Sequence, residues 1–343
     1  MNKTTLVKAT RRLSRLLLAA LLVLLPLAAV GCGGSGPPEQ GTSGTSPASG
    51  TPDGLVIVAS IFAPYDFART IAGEVAEVSM LVPPGAETHS FEPSPQDIIL
   101  LNTADVFIYV GGESDAWLEK IVASLDNPGL TLVRMTDLVQ TVEEEELEGV
   151  VELEEEPGEE AEEEGAGPEI DEHVWTSLRN AETIVSSLAN TFSELDSGHA
   201  ELFQANAEQL NDELGALDTR MTEIVRNAQR STVVFGDRFP IRYFVDDYGL
   251  SYYAAFPGCS TAVDTSPATI AFLVDTVKEQ NIPVVFYIEL SDQRIARSIA
   301  EETGAQTLLF HSVHNISKED MEAGATYVGL MQANADNLEV ALN

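Results

Sequence analysis

A single apolar stripe constrains this chain more than any other feature. Phe203, Ala207, Leu210, Leu214, Leu217, Met221, Ile224 and Ala228 recur at alternating spacings of four and three, with no proline and only Gly215 to interrupt them. At 3.6 residues per turn that spacing lines one face of one continuous helix. About 30 residues at ~1.5 Å each make a rod of roughly 45 Å, the width of a small domain. The length of the chain suits two domains or one large α/β unit. The rod reads as a connector over residues 196–229 that spans two lobes. A coiled-coil partner helix is the other reading, but the chain passes almost at once into a strand, which favours packing within one molecule.

Short β-branched runs flank the stripe on both sides. Residues 55–60, 78–82, 105–110 and 131–134 read as strands before it, and 232–236, 251–255, 284–288 and 306–310 after it. Stretches 63–73, 114–124, 177–195, 266–280 and 291–303 read as helices. Strands alternating with helices imply parallel sheets covered on both faces. The expected fold is α/β: an N-terminal lobe over 55–195 and a C-terminal lobe over 230–343, each a mainly parallel four-stranded sheet with flanking helices, joined by the connector. A hydrophobic fraction of 44% suits such a globular body.

Charge narrows the function. With 18 Lys and Arg against 55 Asp and Glu, the net charge is −37. A chain this negative repels phosphate backbones, which argues against nucleic acid as a partner. Residues 143–172 alone hold 17 acids and no Lys or Arg, punctuated by Pro157, Gly158, Gly165, Gly167 and Pro168. Like-charge repulsion and helix breakers make 143–170 an expected disordered, solvated loop. Two readings are open for it: a field that concentrates cations, or a solubilising spacer.

The first 31 residues look like a targeting segment. Lys3, Lys8, Arg11, Arg12 and Arg15 precede an uncharged apolar run over 16–30 that falls short of the ~20 residues a membrane span needs. The run ends in Ala29-Val30-Gly31-Cys32, which resembles the lipobox of bacterial lipoproteins and implies lipidation at Cys32. Eighteen of the 22 residues in 33–54 are Gly, Ser, Thr or Pro, so 32–54 is an expected flexible tether. The mature protein is then extracytoplasmic, lipid-anchored to a membrane. Two cysteines cannot build a disulfide framework. Cys259 is open to reading as a soft ligand or as a small buried hydrophobe.

Five histidines are present: His89, His173, His199, His311 and His314. His89 follows the strand 78–82 within a loop, and Asp237, Glu289 and His311 each directly follow an expected strand. His173 lies in the loop before the helix at 177. Ligands of open α/β sheets bind outside the carboxyl ends of the strands. Imidazole and carboxylate are the donors that suit zinc and manganese. Three histidines and a carboxylate close a tetrahedral site, which binds a metal without activating water. No HExxH motif is present, and no catalytic role is expected of these residues.

Five stretches sharpen this: PPGAETHSFEPSPQD (83–97), VGGESDAWLEKI (110–121), DEHVWTSLRNAETI (171–184), VVFGDRFPIRYFVDDYGL (233–250) and YIELSDQRIARSIAEETGAQTLLFHS (287–312). Through them the chain resembles the solute-binding proteins of bacterial zinc and manganese ABC importers, the cluster A-I (ZnuA/TroA-like) group. The resemblance implies the metal ligands His89, His173, Asp237 and His311. The last two depart from the family's usual letters, His or Glu at the first and Asp at the second. Glu289 matches a family glutamate near the cleft and reads as a supporting or alternative ligand; His314 is a possible substitute. Three nitrogens and one oxygen favour Zn2+ over Mn2+. The resemblance further implies delivery of the ion to an ABC permease, through it a cytoplasmic ATPase, and a monomeric binding protein; a surface metal buffer or adhesin-type lipoprotein is the alternative.

Overall fold

A computed structural model describes residues 54–343 apart from 87, 89–90, 113–115, 123, 146, 151–169 and 259–264. The expected signal segment, Cys32, nearly all of the tether, His89, most of the acidic run and Cys259 lie outside the described residues.

Each lobe is one parallel sheet. The first contains β1 (Val56–Ala59), β2 (Glu77–Met80), β3 (Val106–Tyr109) and β4 (Thr131–Arg134) in the order β2-β1-β3-β4. The helices α1 (Phe62–Ala72), α2 (Pro95–Leu101) and α3 (Ala116–Val122) make its crossovers. Between the sheets lie α4 (Leu178–Leu195) and α5 (Ala200–Asn227). The second sheet repeats the order with β5 (Thr232–Phe239), β6 (Ser251–Pro257), β7 (Val284–Tyr287) and β8 (Gln306–Leu309), giving β6-β5-β7-β8. Around it run α6 (Arg242–Tyr248), α7 (Pro267–Glu279), α8 (Arg294–Thr303), α9 (Lys318–Glu322) and α10 (Tyr327–Leu342). In both sheets the chain reverses direction across the sheet beside the central strand, and that switch point is where α/β folds place ligands.

The stripe behaves as its spacing dictates. Phe203, Ala207, Leu210, Leu214, Leu217, Met221 and Ile224 are buried along α5, which packs against α4, α1 and α10. The helix ends at Asn227, so Ala228 is its C-cap, partly buried. Because α5 touches helices of both lobes, one continuous apolar cluster reaches from Ile57 of β1 through Leu214 to Phe286 of β7.

A buried carboxylate reinforces the join. Asp66 of α1 accepts from Tyr327 N at the start of α10 (2.7 Å) and from Arg69 Nε (2.6 Å), while Arg69 also donates to Ala325 O (3.0 Å). Asp66 thus satisfies one of the donors that a helix N-terminus leaves open. Asp66→Ala strands that amide in the core, and the expected loss is about 2 kcal/mol of unfolding free energy in urea. Burial raises the Asp66 pKa above its ordinary 3.8, against the opposing pull of Arg69 and the Tyr327 amide. Between 3.8 and that higher value the folded state holds more protons than the unfolded one. The contribution of this group therefore grows as pH falls through the window and is lost as pH rises through it. The stability of the wild type relative to Asp66→Asn is expected to decline from pH 4 towards neutrality; a difference flat across that range would contradict the assignment.

The two roots of the acidic run differ from the expected solvated loop. Glu143 and Ile170 form an antiparallel bridge, and Glu145 pairs with Arg242 (2.5 Å) and accepts from Tyr252 Oη (3.1 Å). Tyr243 Oη donates to Asp171 O (2.6 Å), and Val142 N donates back to that hydroxyl (3.2 Å). Opposite charge on α6 and paired backbone thus hold these ends against the second lobe, where charge repulsion alone predicts freedom.

Candidate metal centre

His173 is placed by the turn that leads into α4. It directly precedes a 3₁₀ turn, Val174–Thr176, and is fully buried. Asp171 Oδ1 accepts from both His173 N (2.8 Å) and His173 Nδ1 (3.1 Å). A carboxylate can only accept, so the ring proton sits on Nδ1 and the Nε2 lone pair is left to face elsewhere. Nε2 has no hydrogen-bond partner. Burial pushes the His173 pKa down, but the Asp171 carboxylate, aided by Glu172 and Glu144, carries it above the usual imidazole value.

His314 comes to the same place from the far side. The turn after β8 is held by Glu289, whose Oε2 accepts from Ser312 N (2.7 Å) and whose Oε1 accepts from Ser312 Oγ (2.5 Å) and His314 N (3.2 Å). Trp175 Nε1 donates to Ser312 O (2.9 Å) from below. These bonds force Val313 to φ +59°, a conformation that costs a β-branched residue about 1–2 kcal/mol. The strained turn presents the buried His314 ring 5.5 Å from His173 and 5.1 Å from Trp175. Two imidazoles sharing a tetrahedral ion at ~2.0–2.1 Å have centroids about 5 Å apart, so the pair has nearly the spacing of a shared ligand. Thr88, His173, Glu289, Leu290, Ser312 and His314 line a cavity of about 40 Å³ between them, room for an ion or a water or two.

Of the other expected ligands, Asp237 and His311 are described and stand off the cavity lining. His89 lies outside the described residues. Asp237 was expected just past a strand ending at 236, but β5 runs on to Phe239, and Asp237 sits inside it where the pairing with β6 shifts register. Its carboxylate accepts from Arg238 N (2.9 Å), Ile288 N (3.4 Å) and the Ser291 hydroxyl, and burial raises its pKa in spite of them. His311 is buried after β8, with Nδ1 accepting from Val313 N (2.9 Å). Its Nε2, like that of His173, is buried without a hydrogen-bond partner. Neither Asp237 nor His311 lines the cavity. Glu289 does, with both oxygens engaged by the 312–314 turn. His199 pairs with Asp196 (2.6 Å) at the start of α5 and is not part of the lining. Among the described residues no three His, Cys, Asp or Glu side chains stand close enough to hold an ion together. The paired carboxylate Asp171, which sequence reasoning did not single out, was legible as the first residue of the DEHVW stretch.

Comparison with known proteins agrees with this architecture. Residues 57–341 match the family described as zinc-uptake complex component A, periplasmic (ZnuA). The zinc-binding lipoprotein AdcA of Streptococcus pneumoniae is 29% identical over 286 residues, covering 83% of this chain and 55% of that protein. The chain thus spans about half the length of the AdcA relatives it matches. The high-affinity zinc uptake system protein ZnuA of Bacillus subtilis is 27% identical over 311 residues, covering 89% of this chain and 92% of its own. The crystal structure of the Zn(II)-bound ZnuA-like domain of S. pneumoniae AdcA shares the fold with a TM-score of 0.68 at 26% identity, over 84% of this chain and 99% of that one.

Proposed function

The chain belongs to the ZnuA family of zinc-uptake components, and on that premise we propose that it captures Zn2+ outside the cytoplasm and delivers it to an ABC import permease. The observation that carries the reading is the pair of buried imidazoles, His173 and His314, whose rings stand 5.5 Å apart on the lining of one small cavity. The ion is cargo, so nothing in the site has to activate water; a closed set of donors suits capture.

In this reading His173 and His314 bind the ion through nitrogen, with His89 as a third donor carried by the family resemblance. Asp171 and Glu289 orient the first two, as the outer carboxylates of zinc sites do. A nitrogen-rich set favours Zn2+ over Mn2+, which prefers oxygen. Lipidation at Cys32 and the tether would hold the monomer at the membrane beside the permease, whose ATPase partner works on the cytoplasmic side.

Competitive titration with Zn2+ and Mn2+ tests this directly. One tight site per chain is expected, with zinc preferred by at least two orders of magnitude. It should persist when 143–170 is deleted; loss of most capacity on that deletion would favour a metal buffer, and equal affinity for both ions would refute the zinc reading. Affinity should fall as pH drops, because His must be neutral to coordinate. The raised His173 pKa places the onset of that fall above the usual imidazole value.

A further inference from the structure

Asp237 is buried within β5, just behind the cavity-lining residues Arg238 and Ile288, and its bonds converge on one short turn. It accepts from Ile288 N (3.4 Å) and from the Ser291 hydroxyl, the two groups that flank Glu289 and Leu290. That turn needs holding. Leu290 adopts φ +58° and Gln293 φ +61°, two bulky side chains in left-handed backbone within four residues. Such residues leave that region unless surrounding bonds fix them. Leu290 is also half exposed at the cavity, so burial of its side chain does little to hold it. Ser291 Oγ in turn accepts from Gln293 N (3.0 Å), tying the second strained residue to the same anchor.

Glu289 is the residue this turn delivers. Its three bonds to Ser312 and His314 shape the strained turn at Val313. We infer that Asp237 is a positioning residue of the metal cavity: its carboxylate fixes the 288–291 turn, that turn fixes Glu289, and Glu289 fixes the turn that presents His314. This rests on the capture site proposed above. It gives Asp237 a role distinct from that of a metal ligand, and it explains why a carboxylate stands at this strand position while its oxygens serve the protein.

The test compares Asp237→Ala with Asp237→Asn, using Zn2+ affinity by chelator competition and the visible absorption of the Co2+-loaded protein. An amide oxygen still accepts from Ile288 and Ser291, but it is a poor zinc ligand. Asp237→Ala is expected to weaken zinc by about 10–100-fold, the range for outer partners of ligating histidines, with Co2+ band positions unchanged. Asp237→Asn should stay within about threefold of wild type, whereas His314→Ala should move the Co2+ bands. Ser291→Ala removes one arm only, so a smaller loss of the same kind is expected even if Asp237→Ala fails to fold. Equal losses in Asp237→Ala and Asp237→Asn with shifted Co2+ bands would make Asp237 a ligand and overturn the inference. Wild-type affinity in both Asp237→Ala and Ser291→Ala would also overturn it. A metal-free arm separates this from the capture reading: the imidazole NMR signals of His314 should shift in apo Asp237→Ala and hold in Asp237→Asn. If the wild type takes up neither Zn2+ nor Co2+, capture fails and the NMR arm alone decides the role of Asp237.

Discussion

Replacing His173 with alanine is expected to weaken zinc binding by about two orders of magnitude. Structural zinc sites with four ligands bind with roughly 10–16 kcal/mol in all, so one ligand is worth about 3 kcal/mol, and each 1.4 kcal/mol is tenfold. His173 has the strongest claim among the described donors. Its ring is fixed by Asp171, its Nε2 has no partner, and it lines the cavity. Competition with a chromophoric chelator measures the change. The fold is expected to survive, because the ring lines a cavity and its removal enlarges a space already present. A His173→Ala protein that keeps zinc within threefold of wild type would remove His173 from the ligand set.

The largest loss of stability is expected from Trp175→Ala, at about 4 kcal/mol, or roughly 10 °C in Tm for a body of this size. Trp175 is completely buried, its indole donates to Ser312 O (2.9 Å), and its own carbonyl accepts from Tyr327 Oη (2.5 Å). Its ring also lies 5.4 Å from His173 and 5.1 Å from His314. Truncation therefore empties a core position and loosens the floor under both imidazoles, so zinc affinity should fall together with Tm. Trp175→Phe separates the two effects. It keeps most of the volume but leaves the Ser312 carbonyl without its donor, for an expected loss of about 1–2 kcal/mol. Calorimetry of the zinc-free protein reads the first effect and zinc titration the second. A Trp175→Ala variant with unchanged Tm would contradict the packing described.

The fold was legible where periodicity was strong. Each of the eight strand runs overlaps a strand, with β5 and β6 running on past the expected ends, and the stripe from Phe203 to Ile224 is the buried face of α5. Less visible was α10. Its YVGLMQANADNLEVAL interleaves Gly329 and several alanines with the buried Asn334, so polar and apolar positions do not separate cleanly along it. The reason is structural: Asn334 is buried because its side chain accepts from His311 N (2.7 Å) and donates to His311 O (2.8 Å). At the site, strand ends pointed to the right edge of the sheet but not to the right atoms. His311 does lie beyond the carboxyl end of β8, but Asp237, expected past a strand end, sits inside β5. Which of two histidines three residues apart faces the cavity depends on a left-handed Val313, and no spacing rule reveals that. Nor does the sequence show that the oxygens of Asp237 and Glu289 are committed to neighbouring turns.

The core shared through α5 bears on how such a molecule can be taken apart. Neither lobe owns a complete interior: cutting the chain at either end of α5 would expose the apolar face that the helix covers on both sides. The lobes should therefore melt in one calorimetric transition, and neither should be transplantable as a module into a relative. If the chain captures an ion as proposed, release is expected to come from movement of the short turns at the cavity, and the exchange rate of the ion becomes a property of those turns more than of the body that carries them.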